Sequence, residues 1–307
     1  MEAPGRRYAA GGGPVGRAPM MRVRCASDPA PGRPENEDIV FRFGPLVGVL
    51  DGATVPAGFD TGCTHGPAWY VRHLAARIAL AVADRPAATL ASSLAEAIRA
   101  VRADHGGACD LDHPGTPSST VCLLRDGGDH ADYLVLCDSP LVLDTERGIE
   151  VVADDRLEAT QDDLRRAAAA PAGGVPPAAG EGGRDGGGDP EGGFRCAVTA
   201  QRSRMNRAHG YWAAAADPDA AYQALTGAVP LRGPGALRRA VLLSDGASCA
   251  VEQFGLFDWA GLLDVVTEAG PAGLVDRVRA AERDHPDRLR RRKRTDDASV
   301  VLCEFSG

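Results

Sequence analysis

Five short acidic signatures recur along this chain at the edges of apolar runs. They are Asn36-Glu37-Asp38, Asp51-Gly52-Ala53, Cys137-Asp138-Ser139, Ser244-Asp245-Gly246 and Asp296-Asp297-Ala298-Ser299. In four of the five, an Asp closes an apolar run or directly precedes one. This placement constrains the fold, because strand ends can bring together carboxylates that lie far apart in the chain. Carboxylates that face one another repel, and burying them unpaired is costly. A bound divalent cation answers both problems, so the pattern reads as a metal site built from the ends of several strands.

Apolar runs bounded by turn residues predict strands at 21–27, 39–43, 46–50, 119–124 and 133–137. A hairpin over 140–144 and 148–153, and strands at 239–243 and 298–305, complete the set. Helical spacing covers 65–83, 87–104, 214–226, 257–268 and 273–285. Strands in groups, helices in pairs and strands again predict a layered α+β fold rather than a βαβ alternation. Residues 1–20 are rich in Gly, Pro and Arg and read as a disordered tail. Residues 21–307 read as a single domain with a low-complexity insertion at about 170–193. That insertion reads as a tolerated surface segment, with a lid near the site as the functional alternative.

Bulk properties exclude some classes. No segment approaches the roughly 20 apolar residues of a membrane span, so no membrane partner is expected. The net charge of −8 argues against a general nucleic-acid binder. None of the eight cysteines forms a Cys-x-x-Cys pair, and they read as buried, reduced thiols rather than disulfides. A soluble, cytoplasmic monomer is the expectation.

The candidate metal ligands are Asp38, Asp51, Asp138, Asp245 and Asp296. No His or Cys recurs beside them in a ligand-like spacing. Hard oxygen ligands favour Mg²⁺ or Mn²⁺ over Zn²⁺. Several carboxylates imply more than one ion, and paired ions suit phosphoryl chemistry. Glycine after Asp51 and Asp245 lets the backbone turn sharply and approach an ion closely.

Six elements stand in a telling order: Arg33-Pro34-Glu35-Asn36-Glu37-Asp38, Val49-Leu50-Asp51-Gly52, Pro117-Ser118-Ser119-Thr120, Cys137-Asp138-Ser139, Leu243-Ser244-Asp245-Gly246 and Asp296-Asp297-Ala298-Ser299. Together they resemble the metal-dependent protein serine/threonine phosphatase family, type 2C, in its bacterial members. The resemblance implies a four-layer α-β-β-α sandwich, two antiparallel sheets flanked by helix pairs. It implies a centre of two Mn²⁺ or Mg²⁺ ions, with a possible third. In that picture Asp51 bridges the ions and the Gly52 carbonyl binds one of them. Asp245 and Asp296 hold one side, Asp38 acts on the other through water, and Asp138 matches the weaker third site. Arg33 grips the substrate phosphate, and a metal-bridging hydroxide attacks phosphorus in line. The implied substrate is a phosphorylated protein.

The chain departs from that pattern in several places. The family follows Asp-Gly with a Gly-Gly-His-like stretch, whereas here Ala53 to Gly58 intervenes and His65 arrives late. His65 is the candidate acid for the leaving alkoxide, or else a helix-start histidine. The family's Gly-Asp-Ser-Arg becomes Cys137-Asp138-Ser139-Pro140. The region after Ala159, a flap and a helix in the family, reads as low-complexity sequence. Spacing does not separate Asp296 from Asp297, although the motif match favours Asp296. The basic run over 288–294 reads as a steering patch or as a solvated face, and Trp69, Tyr70 and Trp212 read as core. Two alternatives stand beside the phosphatase: a catalytically weak or inactive phosphatase-like binding or sensor module, and a hydrolase of small phosphate esters.

Overall fold

The computed structural model describes residues 21–56, 58–169, 190–285 and 295–306. The predicted tail, most of the 170–193 insertion and the whole of the 288–294 basic run therefore lie outside the described residues.

Two five-stranded sheets, antiparallel throughout, form the centre. The first contains β1 (Arg22–Asp28), β10 (Ala298–Glu304), β9 (Leu237–Leu243), β6 (Leu141–Thr145) and β7 (Gly148–Val152), in that order. The second contains β2 (Asp38–Phe43), β3 (Leu46–Asp51), β4 (Val121–Asp126), β5 (His130–Leu136) and β8 (Leu225–Pro230). Helices α1 (Pro67–Asp84) and α2 (Leu90–Asp104) cover the second sheet. Helices α5 (Asp245–Glu252), α6 (Trp259–Glu268) and α7 (Gly270–Asp284) cover the first. The expected α-β-β-α sandwich is what forms.

Strand composition follows from this layering. In β3, Leu46 and Leu50 point toward α1 and α2, while Val47 and Val49 pack between the sheets. In β10, Ala298, Val300 and Leu302 face the helices, and Val301 and Cys303 face the other sheet. A strand covered on both faces must be apolar at every position, and each fully buried Leu or Val contributes about 1.5–3 kcal/mol. A charge at Leu50 would therefore break the second sheet from its helices. Cys122, Cys137, Cys249 and Cys303 are buried as expected, whereas Cys25 and Cys196 are exposed and Cys63 and Cys109 are half-buried. Tyr70 is core as predicted, its hydroxyl donating to Ala215 O at 2.8 Å.

Two expectations need correction. The predicted helix over 214–226 is a 3-10 helix, Pro218–Gln223, followed by β8. β8 is a largely exposed edge strand containing Gly227 and Pro230, so its own sequence is a weak strand signal, and pairing with β5 decides its state. The region after Ala159 is not simply low-complexity. Helices α3 (Arg156–Ala169) and α4 (Pro190–Arg202) flank the 170–189 segment, and Gln161 Nε2 donates to Gln201 Oε1 at 3.3 Å between them. Helix α5 was not among the predicted elements, its 8 residues being too few to show a period.

Candidate metal centre

Strand β2 begins at Asp38 and β3 ends at Asp51, and the two are register partners across the hairpin. Asp38 is 6% exposed, and neither of its carboxylate oxygens has a hydrogen-bond partner. Burial pushes Asp38 up to about 8, with Asp297 and Asp245 adding to the effect. The nearby Ser299 and Ser244 hydroxyls moderate it. Each of those hydroxyls also has another partner, Ser244 Oγ accepting from Ser299 N at 2.9 Å and Ser299 Oγ lying 2.8 Å from Ser27 Oγ. Asp51 is raised well above the carboxylate range, first by burial and then by Asp38, Asp245, Asp296 and Asp138. All five predicted aspartates thus share one electrostatic neighbourhood at one end of the sandwich. An orphaned buried carboxylate among four others fits a divalent cation with oxygen ligands.

The backbone around Asp51 is held tightly. Thr120 N donates to Asp51 O at 2.9 Å, and Asp51 N donates to Thr120 Oγ1 at 3.2 Å. Thr120 Oγ1 lies 2.6 Å from Ser139 Oγ, linking the Pro117–Thr120 element to the Asp138 element. Gly52 N donates to Glu37 O at 2.9 Å. A Cβ on Gly52 would meet Glu37 O at 2.7 Å and Pro67 Cβ at 2.9 Å, so the close approach requires glycine.

The structure separates the paired aspartates. Asp297 accepts from Ala30 N and Glu37 N, both at 2.6 Å, through its two different oxygens. It clamps the segment before β10 onto the loop that delivers Asp38. Asp296 instead belongs to the group that raises Asp51. Buried Arg279 supports this corner by donating to Asp28 Oδ2, Glu282 Oε2 and Asp296 O, each at 2.8 Å. Asp245 occupies the first turn of α5, just after the N-cap Ser244. A Cβ on Gly246 would lie 1.9 Å from Asp297 O, so glycine there lets α5 start against the 296–297 backbone.

Asp138 follows Cys137, whose φ of 66° is left-handed. Cys137 N donates to Asp154 Oδ2 at 3.0 Å, and Asp154 pairs with Arg156 at 2.6 Å. Arg33 is exposed, and its Nη1 lies 3.7 Å from Glu37 Oε2, next in sequence to Asp38. His65 has a different setting. Its Nδ1 lies 3.4 Å from Cys63 Sγ and 3.5 Å from Cys109 Sγ, and its ring stacks on Trp69 at 4.0 Å. A cavity of about 170 Å³, lined by Ala53, Val55, Thr64, His65 and Pro117, lies between His65 and the segment after Gly52.

Sequence reasoning missed two groups. Asp154 positions the Cys137 backbone. Arg202 of α4 is buried, and it donates to Thr116 O at 3.1 Å and Ala53 O at 2.9 Å, tying α4 to both loops beside Asp51–Gly52. A lone Arg after a low-complexity run carries no signal that would have found it.

No protein-family model and no curated protein matches this sequence. Solved structures match in fold. The Mycobacterium tuberculosis serine/threonine phosphatase PstP/Ppp is 17% identical with a TM-score of 0.55, the match covering 94% of this chain and 99% of that one. The PstP catalytic domain in complex with two manganese ions gives 17% identity and a TM-score of 0.54, over 94% and 99% of the two chains. The Staphylococcus aureus phosphatase Stp1 is 12% identical with a TM-score of 0.54, over 99% and 100%. The chain therefore has the fold of bacterial PPM-type serine/threonine phosphatases.

Proposed function

We propose that this chain is a Mn²⁺- or Mg²⁺-dependent phosphomonoester hydrolase acting on phosphoserine or phosphothreonine in a protein. One observation carries the reading: five aspartates from four strand ends and a helix start meet around Asp38, whose two buried oxygens have no partner. The manganese in the PstP structure and the shared fold support it.

Asp51, Asp245 and Asp296, with the Gly52 carbonyl, would hold the ions, Asp38 would act on the other side, and Asp138 would serve a weaker third site. Bound ions of this kind lower the pKa of water and neutralise phosphoryl charge. The protein's part is positioning. Thr120 and Ser139 fix the Asp51 backbone, and Asp297 fixes the Asp38 loop. Arg33 would orient the phosphate with paired, permanently charged donors. No helix among the described residues is long and apolar enough to cross a membrane.

A second reading, a phosphatase-like binding module, is favoured by the pairing of Arg33 with Glu37, which occupies the proposed phosphate anchor. Hydrolysis of a small phosphomonoester and a phosphothreonine peptide, with Mn²⁺ and with chelator, tests both. Metal-dependent turnover lost in Asp51→Asn and Asp245→Asn is expected. Metal-dependent peptide binding without turnover would instead establish the binding module.

A further inference from the structure

A second cluster lies in the stretch where the family resemblance breaks down. Cys63 and His65 precede α1, and His105 and Cys109 follow α2. One ligand atom each from Cys63, His65 and His105 falls within 4.8 Å of the others. Cys109 Sγ lies outside that mutually close set but 3.5 Å from His65 Nδ1, and it is the candidate fourth ligand.

His105 is the informative residue, being 5% exposed. Its Nδ1 lies 2.8 Å from Val101 O. A carbonyl only accepts, so Nδ1 carries the proton and the neutral ring presents a lone pair at Nε2. That Nε2 is buried and has no partner. A ligating histidine is oriented in this way, its other nitrogen bonded to a carbonyl.

We propose that Cys63, His65, His105 and Cys109 form a closed Cys₂His₂ zinc site. A tetrahedral zinc with Zn–S near 2.3 Å and Zn–N near 2.0 Å spaces its S and N ligands about 3.5 Å apart. The observed S–N separations at His65 are 3.4 and 3.5 Å. Thiolate and imidazole donors select zinc, whereas the all-carboxylate centre selects hard cations. Hydrogen bonds around the cluster hold its loops in place. His65 N donates to Cys63 Sγ at 3.3 Å, and Asp110 N donates to Gly62 O at 2.8 Å, pinning the two loops beside the cysteines. Trp69 covers the imidazoles, 4.0 Å from the His65 ring and 4.8 Å from the His105 ring.

The role follows from position. One tethered loop runs back to Gly52, and the other runs forward to Ser118–Thr120, which braces Asp51. The zinc would be structural, joining the two segments that frame the hydrolytic centre. His65 would then be a zinc ligand rather than the acid that the sequence suggested.

The test is metal content of the full-length protein, purified with reductant and dialysed into metal-free buffer. About one zinc per chain is expected, retained in Asp51→Asn and Asp245→Asn and lost in Cys63→Ser and Cys109→Ser. Exchange with Co²⁺ should give tetrahedral ligand-field bands and a thiolate charge-transfer band in the wild type. Wild-type protein that takes up no zinc when zinc is supplied would overturn the proposal. So would cobalt spectra without the thiolate band, or a mass showing a Cys63–Cys109 disulfide under reductant. The wild-type readouts stand even where a variant misfolds, and none depends on phosphatase activity.

Discussion

Asp38 and Asp51 stand opposite each other across the β2–β3 hairpin, two like charges at a position where a neutral sheet would place a matched pair. Directly opposed like charges destabilise a ladder. Here the cost is concentrated, because both carboxylates are raised chiefly by burial and Asp38 has no partner for either oxygen. Under the proposed function a cation would offset this cost, and the hairpin's stability should then depend on pH and metal together.

An unfolded Asp titrates near 3.9, and Asp38 in the metal-free fold is pushed up to about 8. Between these values the native state keeps a proton that the unfolded state has lost, so rising pH favours unfolding. The contribution is complete below about pH 4 and disappears as pH rises through about 8. Metal-stripped protein should melt lower at pH 8.5 than at pH 5.5. Mn²⁺ should raise the melting temperature more at pH 8.5, and Asp38→Asn should flatten the apo profile. Thermal melts across that range check this, and a pH-independent apo protein would contradict it.

Asp296 and Asp297 should behave differently despite being neighbours. Asp297→Ala orphans two backbone N–H groups, at Ala30 and Glu37, and should cost about 2–4 kcal/mol in urea unfolding. Asp296→Ala should leave apo stability within about 1 kcal/mol while weakening Mn²⁺ binding by calorimetry. The reverse outcome would exchange their roles.

Gly246→Ala places a Cβ against the Asp297 carbonyl, a backbone atom that cannot swing away. The start of α5 or the 296–297 segment must shift, and a loss of more than about 2 kcal/mol is expected. Metal affinity should fall with it, because Asp245 and Asp296 lie on the two segments forced apart.

Cys137→Gly should leave stability nearly unchanged. A non-glycine residue in the left-handed region costs about 1–2 kcal/mol, and Cys137 adopts φ 66°. Relief of that strain is offset by the entropy of an added glycine, about 0.5–1 kcal/mol, and by the lost burial of a core side chain. Cys137→Ala, which keeps the strain and loses the sulfur, should be the less stable of the two in denaturant unfolding, and the reverse order would contradict this.

Arg202→Met should remove the guanidinium that bridges Thr116 O and Ala53 O, leaving two carbonyls unpaired. A loss of about 1–3 kcal/mol is expected. With a phosphomonoester, kcat/KM should fall as the segment after Gly52 loosens, while Mn²⁺ still binds.

The layering and the strand ends were legible in the sequence because both are local signals. Apolar runs mark strands covered on two faces, and an Asp-Gly after such a run marks where the strand stops. Edge strand β8 and the short helix α5 were not legible, the first because pairing with β5 creates it and the second because 8 residues carry no usable period. The Cys63, His65, His105 and Cys109 cluster escaped because its spacing matches no local metal motif and its members sit on two separate loops.

Local signals along the chain are enough to bring Asp38, Asp51, Asp138, Asp245 and Asp296 to one end of the sandwich, carried by the strands and the helix start they adjoin. Long-range packing sets the partners that the neighbouring side chains find there. Asp297 is spent on Ala30 and Glu37, Arg33 rests against Glu37, and His65 turns toward two sulfurs. The division has one physical cause. Strand formation and termination depend on neighbours in the chain, whereas the state of a carboxylate or an imidazole depends on which donors, charges and lone pairs the folded chain packs against it.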